Sequence, residues 1–90
     1  MAMKAKVHKA GGSGSRENPV VIRQSSMLEG VGDEYAWLER RFGPKGKSWE
    51  LLFQGDETAG ARRIDALVIK PAHGLAEVVY FDITRFHGSL

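Results

Sequence analysis

Asp65, Asp82 and Glu50 are the side chains of this 90-residue chain that come nearest to a reactive set. Two carboxylates held side by side repel each other and resist desolvation. One of them then keeps a proton, or both take up a divalent cation. In the register that the strand-like segments favour, Asp65 stands opposite Asp82 and Glu50 shares their sheet face, a set that a metal-dependent hydrolase would use. Arg62, Arg63 and Arg85 lie close by in sequence and would neutralise the aspartates, and no D/E-x-K signature accompanies them. We therefore expect no metal site and no catalytic residue here.

Other chemical signals are weaker still. Gly46-Lys47-Ser48 matches the end of a phosphate-binding loop, but the glycine required five residues earlier is Arg41. Such a loop also follows a strand and opens a helix, whereas this one follows a helix and enters a strand. What remains is a basic cluster, Arg40, Arg41, Lys45 and Lys47, suited to touching backbone phosphates without reading sequence. His8, His73 and His87 are too far apart to form a local ligand pair. Ser25, Ser26 and Ser48 lack both an adjacent base and the G-x-S-x-G elbow. No cofactor is expected.

The elements that carry these residues are more legible. Val31, Tyr35, Leu38 and Phe42 recur at helical spacing, and Gly43-Pro44 stops the run. Ser26-Met-Leu-Glu29 has capping-box spacing, but Gly30 and Gly32 weaken a helix through them. The helix is therefore expected over 33–42, after a short turn at 26–30. Strands are expected near 48–54, 62–70 and 76–86, where β-branched and aromatic residues gather. Between the first two, Gly55 to Ala61 reads as a long polar connection. The fold class is α+β: a two-layer sandwich with one helix on an antiparallel three-stranded meander. Pro19-Val-Val-Ile-Arg23 offers an extra N-terminal strand.

Centring the last hairpin on His73-Gly74 pairs Lys70 with Glu77, Val68 with Val79, Ala66 with Phe81 and Ile64 with Ile83. Phe53 then lies near Ile64, and the helix stripe covers this face. Leu52, Leu67, Ile69, Val78, Tyr80 and Phe86 turn away from the helix, so the second sheet face is apolar where water is the usual neighbour. Either Val20 to Ile22 folds over it or a second copy of the chain does, giving a homodimer. Leu52, Leu67, Ile69, Val78 and Tyr80, with Trp37 on the helix flank beside Arg40 and Arg41, are the interface candidates.

Composition narrows the rest. Ninety residues make one domain, and there is no cysteine to supply a disulfide or a thiolate zinc site. The net charge of +2 is concentrated at the N-terminus, where Lys4, Lys6, Lys9 and Arg16 stand against Glu17 alone. The body is close to neutral, which does not favour a nucleic-acid-binding face. KAGGSGS, residues 9–15, has the composition of a linker. Residues 1–18 are thus expected as a flexible basic tail and 19–90 as the folded domain. No apolar leader and no run of eighteen apolar residues occurs, so a soluble, cytoplasmic protein without a membrane partner is expected. The residues favour a small non-enzymatic binding or regulatory protein acting through protein–protein contacts. Accessory nucleic-acid binding through the tail and the 40–47 cluster stands second, and a hydrolase on Asp65, Asp82 and Glu50 third.

Overall fold

A computed structural model of the chain describes residues 13–24 and 26–85. Among these the elements run β1 (Val20–Val21), α1 (Met27–Phe42), β2 (Trp49–Ala59), β3 (Arg62–Pro71) and β4 (Glu77–Asp82). The sheet order is β1-β4-β3-β2: an antiparallel meander of β2, β3 and β4, with β1 added parallel to β4. This is the expected α+β arrangement with its extra N-terminal strand. The expectations for residues 1–12, Ser25, Phe86 and His87 lie outside the described residues. No described helix is long and apolar enough to cross a membrane.

The helix begins at Met27, well before Asp33. Ser26 caps it, its hydroxyl accepting the Glu29 N–H at 3.3 Å. A cap contributes about 1 kcal/mol, comparable to the cost of one interior glycine. Packing on the sheet decides the rest, as it does for most protein helices. The other end is as expected: Gly43 turns the chain at φ +103° and its N–H donates to Glu39 O. A Cβ on Gly43 would lie 2.6 Å from Ser48 Oγ, so only glycine fits there. Trp49 fastens this corner from the sheet side, its indole N–H donating to Gly43 O at 2.7 Å.

β2 is longer than expected. The segment expected as a polar connection continues as strand to Ala59, pairing Asp56 with Asp65 and Ala59 with Arg62. Gly60, at φ +66°, takes the first of two hairpin loop positions, where left-handed backbone is needed. A bulge between Leu51 and Phe53 leaves Leu52 without a partner.

The registers also differ from expectation. β3 and β4 pair Leu67 with Val79, Ala66 with Tyr80 and Asp65 with Phe81, a shift of one residue. The inward set of β4, including Val79 and Phe81, is the expected one. The inward set of β3 is the other one: Leu67 and Ile69 are fully buried beneath the helix, not on the outer face. They form the core with Val20, Ile22, Leu38, Trp49, Val79, Phe81 and Ile83. Tyr35, Trp37 and Phe42 of α1 pack against it.

Part of the expected linker is built into this fold. Ser13 and Gly14 donate backbone N–H groups to Asn18 O, and Tyr80 N–H donates to Gly14 O at 2.8 Å. Gly14 sits at φ +95°, and a Cβ there would lie 3.1 Å from Val79 Cγ1 and 3.2 Å from Trp37 Cη2. Gly14→Ala is therefore expected to lose about 1–2 kcal/mol through backbone strain and displacement of Trp37. Urea unfolding followed by tryptophan fluorescence checks this. An unchanged midpoint would mean that the turn is not docked.

Candidate functional site

The carboxylates expected to form a set are dispersed. Asp65 lies on the inner face opposite Phe81, while Asp82 pairs in register with Ile64. Asp82 is neutralised by Arg62 at 3.0 Å and accepts hydrogen bonds from Thr84 N–H and Oγ1. Glu50 is exposed near the far end of β2, opposite Lys70. Among the described residues no group of three His, Cys, Asp or Glu side chains is placed to hold a metal ion.

Asp65 instead meets a carboxyl from the helix. Glu34 is 1% exposed and Asp65 6%, the two buried acids among the described residues. Gln54 Nε2 donates to Asp65 Oδ2 at 2.9 Å. Glu34 Oε2 is buried with no donor among the described residues. Two carboxyl groups in reach of one another form a hydrogen bond only when one carries a proton, and here it is Glu34. Burial, then the hydrogen bond and charge of Asp65, push Glu34 up to about 9 from an ordinary 4.5. Such a strongly shifted acid is a recognised mark of active sites. None of the five clefts described on the surface is lined by Glu34 or Asp65.

Sequence reasoning passed over Glu34. Its signal was present: Glu34 is three residues after Val31 and four before Leu38, in the row that faces the sheet.

The outer sheet face is the larger feature. Phe53 is 66% exposed and Leu52 56%, and Val78 is exposed beside the half-buried Tyr80, Val68 and Ala66. The Phe53 ring lies across Gly55, whose Cβ would sit 3.3 Å from Cε2. Tyr80 and Val78 are on this face as expected, and Leu52 is exposed at the bulge. Val20 and Ile22 do not fold over the face: they enter the core from the sheet edge. The turn at 13–18 reaches one corner through Arg16, which lies over the Tyr80 ring (5.5 Å) and pairs with Glu57 at 3.3 Å. Ile64 is buried beneath that corner. The centre around Phe53, Leu52 and Val78 stays uncovered by the described residues.

The basic cluster divides. Arg41 faces Glu77 at 3.5 Å and lies over the Phe42 ring, at an open cleft of about 340 Å3 shared with Lys47, Pro71 and His73. Arg40 lines a different cleft with Trp37, between α1 and β1. Lys45 and Lys47 are exposed on the turn before β2. Trp37 is half-buried, edge-on to Phe81 at 5.6 Å and 87°.

No protein-family model matches this chain, and neither a curated protein nor a solved structure does.

Proposed function

We propose that this chain is a small non-enzymatic binding protein that acts through protein–protein contact on the outer face of its sheet. The observation that carries this is the exposure of Phe53 and Val78, which share one cross-strand row with Val68, with Leu52 exposed at the adjoining bulge, while the helix closes the other face. Contiguous apolar surface rimmed by polar groups marks interaction sites, and aromatic side chains anchor them.

The occupant we assign is a second copy of the chain. The face carries both signs of charge at each end: Glu50 and Lys70 at one, Glu57, Arg16, Arg62 and Asp82 at the other. A two-fold axis through the apolar centre sets one end against the other without forcing like charges together. Cytoplasmic location fits this reading. Nucleic-acid binding has less support, because Arg41 is engaged by Glu77 and Arg40 turns to another cleft.

Sedimentation equilibrium at micromolar concentration tests the assignment. The wild type is expected to self-associate, and Phe53→Asp to sediment as a folded monomer. Arg41→Ala with Lys47→Ala should leave association unchanged. If the wild type is monomeric at every concentration, the assignment falls. A salt-sensitive gel shift with random DNA or RNA, lost in the Arg41 and Lys47 variant, would favour the second reading.

A further inference from the structure

The sheet edge beside α1 carries a second surface, independent of the outer face. β1 has no strand on its far side among the described residues. Ile22 N–H donates to Asp82 O at 3.0 Å, so the backbone groups of Val20 and Ile22 turn toward β4. By alternation, Val21 and Arg23 turn their N–H and C=O groups away from the sheet, where they lack ladder partners. Between this edge and the helix lies a cleft of about 220 Å3, lined by Val21, Ile22, Arg23, Asp33, Trp37 and Arg40.

Three features describe what would fit. An unpaired strand edge is completed by another extended chain. The volume admits a side chain or two and falls below the roughly 300–1,000 Å3 of small-molecule sites. Arg23 and Arg40 are exposed and form no ion pair among the described residues, and Asp33 is the single acid in the lining. The cleft is therefore net cationic, and guanidinium groups favour carboxylates through paired hydrogen bonds.

We propose that this groove takes an extended acidic peptide, which adds as a strand to the β1 edge and sets a carboxylate against Arg23 and Arg40. Trp37 forms the apolar contact for a neighbouring side chain of that peptide.

Panning a random heptapeptide display library against the full chain tests this, followed by titration of one enriched peptide into isotope-labelled protein. Enrichment of Asp- and Glu-containing, β-prone sequences is expected. Amide shifts should concentrate at Val21 and Arg23 and at the Trp37 indole. Arg23→Ala with Arg40→Ala should weaken binding by about tenfold, as should replacing the acidic residues of the peptide by lysine. Should the double variant fail to fold, the single variants Arg23→Gln and Arg40→Gln carry the comparison. Phe53→Asp should bind the peptide as the wild type does, so failure of the outer-face assignment leaves this result standing. The proposal is overturned by any of four results: no acidic enrichment, shifts confined to the Phe53 face, equal binding by the arginine variants, or contacts showing that residues 1–12 or 86–90 already fill the groove.

Discussion

Raising the pH toward 9 is expected to weaken this fold, and Glu34→Gln to remove the effect. Glu34 holds its proton in the folded chain up to about 9, against an ordinary 4.5 when unfolded. Between those values the folded state binds more protons than the unfolded one, so stability falls as pH rises. The contribution is complete below about 4.5 and is lost by about 9. One proton is worth about 1.4 kcal/mol per pH unit, so the loss amounts to a few kcal/mol across the window. That is a large share of the roughly 5–15 kcal/mol typical of a domain. Glu34→Gln keeps the shape and a donor toward Asp65 but cannot ionise, so it should exceed the wild type at pH 8 by about 2 kcal/mol or more. Asp65→Asn should narrow the window without closing it, because burial is the leading cause of the shift. Urea unfolding from pH 4 to 9 measures all three. A flat wild-type profile would overturn the shared proton.

Leu67→Asp is expected to leave the chain unfolded, whereas Val68→Asp, one position on, leaves it folded. Leu67 is fully enclosed between helix and sheet. Its replacement removes a core side chain, a loss of about 2–5 kcal/mol, and adds the desolvation of an unpaired carboxylate. Val68 pairs with Val78 on the open face and is only half-buried, so a charge there remains in contact with water. Circular dichroism and amide dispersion distinguish the two variants. Equal tolerance at both positions would contradict the register. Phe53→Asp belongs with Val68→Asp, which is why it tests association without unfolding the subunit.

The contrast between Leu67 and Val68 also marks how far the sequence could be read. The helix stripe and its stop at Gly43-Pro44 follow from spacing and backbone chemistry, and the structure has both. Leu67-Val68-Ile69 is a continuous apolar run, so alternation does not say which members face inward. The hairpin loop then decided the register, and its centre fell half a residue from His73-Gly74, which inverts the face of β3 but not that of β4. That inversion separated Asp65 from Asp82 and hid the meeting of Asp65 with Glu34. An apolar outer face was legible, but two of its six expected members, Leu67 and Ile69, are core. The role of Gly14 was not legible, because its position beside Trp37 depends on where β4 runs.

The pairing of β1 with β4 bears on how the chain reaches this state during synthesis. Val20 lies beside Phe81, 61 positions later, whereas β2 and β3 are joined by a two-residue turn. Closing so long a loop is entropically costly and slow compared with zipping a hairpin. Val20 and Ile22 leave the ribosome first, yet their seat in the core exists only after β4 and Ile83 have emerged. Until then the inner faces of the β2–β3 hairpin and of α1 lack their last wall. The N-terminal strand is thus the closing piece of the fold, waiting on the C-terminal one. A ribosome stalled before Phe81 holds a chain with an incomplete core, open to chaperones and to other nascent chains.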